Sequence, residues 1–118
     1  MAKGALFIHW GYPAPDLTAK ALKLFAEATE YWKRKQNEKE IDSFEPFFLD
    51  YVGSDLNGFM LIRGDRESLA RLRMDPEFVT HMMKANTLLP HYGVVEVFFG
   101  EELQRRFGDY EKALAQVT

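Results

Sequence analysis

Between Ile41 and Asp65 the chain reads IDSFEPFFLDYVGSDLNGFMLIRGD. Phe44, Phe47, Phe48 and Tyr51 crowd the first half, which predicts an extended strand over residues 41–52. Pro46 has no N–H to give to a ladder, so this strand belongs at a sheet edge or carries a bulge. Residues 53–58, ending in Asn57-Gly58, read as a turn, and Phe59 to Arg63 as the next strand. Two successive strands with no helix between them predict an antiparallel pair, and the fold follows from what flanks it.

Upstream, Ala5 to Trp10 is a short β-rich run that Gly11-Tyr12-Pro13-Ala14-Pro15 brings to an end. From Asp16 the pattern turns helical: Leu17, Ala21, Leu24, Phe25, Ala28, Tyr31 and Trp32 recur at three- and four-residue steps, to about Asn37. Downstream, Asp65 opens a helix over 66–74, and Asp75-Pro76 restarts it with a fresh cap and a proline in its first turn. Phe78, Val79, Met82, Met83, Ala85 and Leu88 form the buried stripe of that second segment, which Pro90 stops. Val94 to Phe99 predicts the last strand, and beyond Gly100 a polar tail carries Leu103, Phe107, Tyr110 and Leu114 at helical spacing. The order is β-α-β-β-α-β plus a C-terminal helix, a ferredoxin-like α+β sandwich. It occupies residues 1–100 as one domain, with a helical tail over 101–118. The expected strand order is 4-1-3-2, with strands 1 and 3 running parallel at the centre and both helical regions on one face.

Composition excludes several classes of function. The 118 residues contain no cysteine, which removes disulfide frameworks, thiolate zinc sites and a cysteine nucleophile. Fifteen basic residues against 18 acidic ones give a net charge of −3, the wrong sign for a general nucleic-acid binder. Residues 57–63 faintly echo an RNA-recognition signature, but Asn57 replaces the leading basic residue and Leu61 the second stacking aromatic. No nucleic-acid partner is therefore expected. No apolar run approaches a membrane span, and the N-terminal run, broken by His9, reads as a strand rather than a secretory signal, so a cytoplasmic protein is expected. The chain has no phosphate-binding loop, dinucleotide turn or nucleophile elbow, so no cofactor is expected. His9, His81 and His91 lack the spacing of metal ligands, so no metal site is expected.

Alternate strand residues point to opposite faces. Strand 1 divides into Leu6, Ile8, Trp10 and Ala5, Phe7, His9; strand 3 into Met60, Ile62 and Phe59, Leu61, Arg63. Both faces are largely apolar, and helices cover only one. The other, expected to bear Phe7, Phe59, Leu61, Val94 and Phe98, would be a large bare apolar patch. A second copy packed sheet to sheet solves this as a homodimer. Cover by the chain's own C-terminal helix is the alternative.

These residues resemble the dimeric α+β barrel superfamily. The likeness rests on the element order, the Asp75-Pro76-Glu77-Phe78 break and the closing Val94-Val95-Glu96-Val97-Phe98 strand, and it spans roughly residues 4–100. It implies a homodimer with face-to-face sheets and, by analogy with its antibiotic-biosynthesis monooxygenases and isomerases, chemistry without a cofactor on an apolar or aromatic compound. The candidate site is one rim of the sheet, which His9 and Arg63 are expected to share as residues at the C-terminal ends of the parallel strands 1 and 3. His9 would act as base, and Arg63 would hold an oxyanion or carboxylate. Trp10, Tyr12, Glu45, His91, Tyr92 and Glu96 are the candidate ligand-binding residues around them. A non-catalytic reading stays open beside it, with His9 in the dimer contact and Arg63 paired to Glu96.

Overall fold

The computed structural model describes residues 2–117. Its elements are β1 (Lys3–Gly11), a 3-10 turn (Pro15–Leu17), α1 (Thr18–Asn37), β2 (Ser43–Phe48), β3 (Leu56–Asp65), α2 (Arg66–Leu72), α3 (Pro76–Leu88), β4 (Gly93–Val97) and α4 (Gly100–Ala115). The four strands form one sheet in the order β2-β3-β1-β4, the ferredoxin-like arrangement.

Every neighbouring pair in that sheet is antiparallel, including β1 with β3. This corrects the expectation of a parallel central pair. The crossover through α1 makes β1 and β2 parallel, but β3 turns back from β2 and inserts between them, so β3 opposes both. Ala5 lies opposite Arg63 and His9 opposite Phe59.

The third strand is longer than its sequence suggests. Asn57 and Gly58 lie within β3 rather than in a turn, and the reversal falls earlier, in residues 49–55. Gly58 is opposite both Trp10 and Phe48. A Cβ there would lie 2.9 Å from the Trp10 ring and collide with the Phe47 carbonyl, so its value is close approach rather than turn formation. Pro46 is accommodated because β2 is an edge strand.

Cross-strand partners share a face, so the register fixes the two surfaces. The helix-facing side carries Leu6, Ile8, Trp10, Met60, Ile62 and Val94, which join Tyr31, Trp32, Ile41, Leu69, Leu72 and Phe78 in the core. The opposite side carries Phe7, His9, Phe59, Leu61, Val95 and Val97. Val94 was expected on that bare side; its pairing with Ile8 turns it toward the helices, and Val95 takes its place. Phe98 lies beyond β4, within reach of the guanidinium groups of Arg66 (5.9 Å) and Arg106 (4.0 Å).

Asp65 and Asp75 occupy the N-cap positions of α2 and α3, but neither carboxylate caps its helix. Asp65 pairs with Lys3 at 3.0 Å, and Asp75 accepts the Tyr31 hydroxyl at 2.6 Å. Of the two methionines expected in the core, Met82 packs against it and Met83 is exposed. α4 forms where the 103/107/110/114 spacing places it, yet none of its described residues is buried. It is anchored near its start, by Glu102 on Arg66 at 3.3 Å and by Arg106 over the Phe98 ring at 4.0 Å. Among the described residues it leaves the open sheet face uncovered, and its own apolar stripe is exposed too.

Candidate functional site

α1 and α3 do not close completely on the sheet. Between them lies a cavity of about 530 Å³. Ile8, Trp10 and Met60 line it from the sheet, Phe25, Ala28 and Trp32 from α1, and Phe78, His81 and Ala85 from α3. Tyr12, Phe48, Tyr51, Leu89 and Tyr92 line it from the loops and the last residue of β2. The small side chains Ala28 and Ala85 leave the space that a larger residue on either helix would fill.

The wall is strongly aromatic. Phe25 lies 5.2 Å from Phe48 and 5.9 Å from Trp10, while Trp32 meets Phe78 edge-on at 5.2 Å. No carboxylate, ammonium or guanidinium side chain lines the cavity among the described residues. Its polar groups are neutral: Thr18, Asn57, His81 and the phenols of Tyr12, Tyr51 and Tyr92. Tyr12 donates to the Asp50 carbonyl at 3.1 Å. Burial pushes the Tyr92 hydroxyl up to about 12, so it stays protonated at physiological pH. Such a chamber favours an uncharged ligand, because a buried charge without a partner is expensive.

The antiparallel register separates the two expected catalytic residues. From Phe59, opposite His9, to Arg63 is four residues of strand, about 13 Å at the usual rise. His9 lies on the open sheet face, not in the cavity, with its ring against Phe7 (centroids 5.5 Å) and over Gly93. Its Nδ1 is buried and unpartnered among the described residues. Arg63 is at the opposite end, 3.7 Å from Glu45. Glu96 pairs with Arg66 at 3.0 Å, so the expected Arg63–Glu96 pair is replaced by two separate ones. Glu45 and Glu96 therefore share the Arg63 end. Trp10, Tyr12 and Tyr92 do converge, as cavity wall. His91 is exposed beside them, in a left-handed conformation (φ 55°), where the preceding Pro90 carbonyl accepts the Gly11 N–H at 2.7 Å.

Sequence reasoning passed over His81. It is only 9% exposed, its Nδ1 has no partner among the described residues, and its ring meets Tyr31 edge-on at 5.4 Å. The signal was present: Phe78, His81 and Ala85 follow three- and four-residue steps, which puts a polar residue on the buried stripe of α3. Burial holds the imidazole below its ordinary 6.5, and Lys84 and Arg34 add to this, against the opposing pull of Glu77 and Glu27.

That shift makes stability depend on pH. Below about pH 6.5 the unfolded chain takes up a proton at this position that the folded chain refuses. Stability is therefore intact above 6.5, starts to fall as pH drops through it, and has lost the whole contribution below the folded value. The lowered Glu77 carboxyl, paired with Arg34, adds its own loss only further down, below its ordinary 4.5. Urea denaturation at pH about 7.5 and 5.5 should show a smaller difference for His81→Leu than for the natural chain; equal differences would contradict the assignment.

Among the described residues, no helix is long and apolar enough to cross a membrane, and no three His, Asp or Glu side chains gather as a metal group. No protein-family model matches the sequence, and no curated protein matches it. Solved structures do match in shape. A dimeric protein of unknown function and ferredoxin-like fold from Bacteroides fragilis superposes with a TM-score of 0.62 at 13% identity, over 82% of this chain and 96% of that one. Rv0793 from Mycobacterium tuberculosis gives 0.61 at 16% identity, over 86% and 98%. A mutant form of SnoaB, a cofactor-independent oxygenase from Streptomyces nogalater, gives 0.55 at 15% identity, over 84% and 95%. At these identities the likeness establishes the fold: a ferredoxin-like α+β domain.

Proposed function

We propose that this protein is a homodimer that binds an uncharged apolar or aromatic small molecule between its helices and its sheet. The observation that carries the binding reading is the cavity itself, about 530 Å³ with a strongly aromatic wall and, among the described residues, no charged group on it. The oxygenase activity of SnoaB, on the same fold without a cofactor, supports a related reaction here as the enzymatic form of the proposal. Fold alone does not transmit activity, so binding is the part to test first. Dimerisation is supported by the bare apolar sheet face and by the dimeric Bacteroides fragilis protein. In this reading His9 belongs to the contact between sheets and Arg63 to its edge. The chemistry is left to the cavity.

The test is ligand-dependent stabilisation. A polycyclic aromatic probe such as 2-ethylnaphthalene, at about 100 times its dissociation constant, should stabilise the fold by about 2.7 kcal/mol. That is a rise of several degrees in Tm. Trp10 and Trp32 both line the chamber, so their fluorescence should change with the same midpoint. Ala28→Phe, which fills the space from α1, should abolish both responses while keeping the far-ultraviolet spectrum. An unchanged Tm with the natural chain, or full binding by Ala28→Phe, would refute the reading.

A further inference from the structure

The cavity wall contains one imidazole that the fold itself does not use. His81 is nine-tenths buried in the middle of α3, and among the described residues nothing hydrogen-bonds to its Nδ1. Its ring is held from one side by Tyr31, whose hydroxyl is already committed to Asp75. Buried polar side chains are almost always hydrogen-bonded, and with Nδ1 closed off, Nε2 is the nitrogen of this imidazole left to make a bond.

We propose that His81 supplies the hydrogen bond that selects the ligand, and that the preferred compound is a neutral aromatic carrying a carbonyl oxygen. The inference rests on the binding reading above and names the chemistry of its ligand. A neutral imidazole has one N–H and one acceptor nitrogen. Nδ1 is sealed and, among the described residues, without a partner, and sealed donors almost always have an acceptor; the proton is therefore assigned to Nε2, the nitrogen a ligand can reach. His81 then offers a donor to the cavity, and its complement is an acceptor on the ligand. A carboxylate also accepts, but among the described residues the chamber holds no cation to compensate its charge, which leaves an uncharged carbonyl. The surrounding Trp10, Phe25, Trp32 and Phe78 favour attaching that carbonyl to a flat ring system.

Two nearly isosteric probes separate this inference from the binding reading. 2-Acetylnaphthalene and 2-ethylnaphthalene differ by a carbonyl in place of a methylene, and calorimetric titration of both gives an affinity ratio. In His81→Leu that ratio should fall about tenfold, almost wholly through loss of the ketone, with the hydrocarbon held to within about twofold. His81→Gln, which keeps an N–H, should recover part of the ratio. The carboxylate 2-naphthoate should bind the natural chain at least about tenfold more weakly than the ketone. An unchanged ratio in His81→Leu, no recovery in His81→Gln, or naphthoate binding tighter than the ketone would each overturn the role of His81 and leave the binding reading standing. Failure of both neutral probes to bind the natural chain would instead remove the binding reading, and this inference with it.

Discussion

Trp32→Ala should cost the fold about 3–5 kcal/mol, the range for removing a large aromatic from a packed interior. Trp32 is 1% exposed, and Phe78 and Tyr31 meet its ring edge-on at 5.2 and 4.9 Å. It joins three parts of the fold, since α1 supplies it, α3 supplies Phe78, and the core cluster it belongs to includes Leu6, Ile8 and Ile62 from the sheet. The existing cavity makes the loss worse, because the truncated site opens into empty space rather than collapsing. A domain of this size typically has only about 5–15 kcal/mol in hand. Urea denaturation followed by circular dichroism measures the change. Phe48→Ala is the control: that ring is 64% exposed on an edge strand and should cost well under half as much. A loss below about 1 kcal/mol for Trp32→Ala would show that the helix layer is not joined to the sheet through this residue.

The same residues show what could be read from the chain and what could not. The element order was legible because the apolar spacing changes period clearly, from two in the strands to three and four in the helices, with prolines at the breaks. Asn57-Gly58 misled because the pair is a turn signal locally, whereas in the sheet Gly58 is required by the Trp10 ring and the Phe47 carbonyl beside it, both distant in sequence. The site suffered more, for a topological reason. Reading β1 and β3 as parallel placed His9 and Arg63 at one rim; reversing β3 moves them apart and carries Glu45 on β2 to the far end with Arg63, while Glu96 lies toward that end because it is well into β4, opposite Leu6. Trp10, Tyr12 and Tyr92 come through that error because they follow from where β1 ends and β4 begins, which the direction of β3 does not change. His81 was legible as a residue of the buried stripe but not as a cavity residue. A cavity forms where side chains fail to fill space, and Ala28 and Ala85 become informative only once α1 and α3 are set against the sheet.

The open sheet face yields the other large effect. Leu61 and Val95 both lie opposite Phe7, one on each side of it, and Val95 is 47% exposed, so two carboxylates there would stand at the middle of the surface without touching the core. Phe59 beside them stacks on Phe47 (4.8 Å) and meets Phe7 at a tilt (4.9 Å), making an aromatic row that water would otherwise meet on its outer side. In a symmetric sheet-to-sheet dimer each substitution appears twice and the copies face one another. The introduced charges must then be both desolvated and brought near like charges, a penalty of several kcal/mol that a contact of apolar side chains has no means to offset. Leu61→Asp with Val95→Asp should therefore convert a species of twice 13.7 kDa into one of 13.7 kDa in analytical ultracentrifugation, with its circular dichroism spectrum intact. Arg63→Ala, at the edge of that face beside Glu45, should leave the larger mass in place, since an exposed ion pair at 3.7 Å contributes little. A natural chain that sediments at 13.7 kDa would refute the dimer, whereas a doubly charged variant that still sediments at twice that mass would place the contact elsewhere. In that second case the exposed Leu103, Phe107, Tyr110 and Leu114 stripe of α4 would be the next surface to charge.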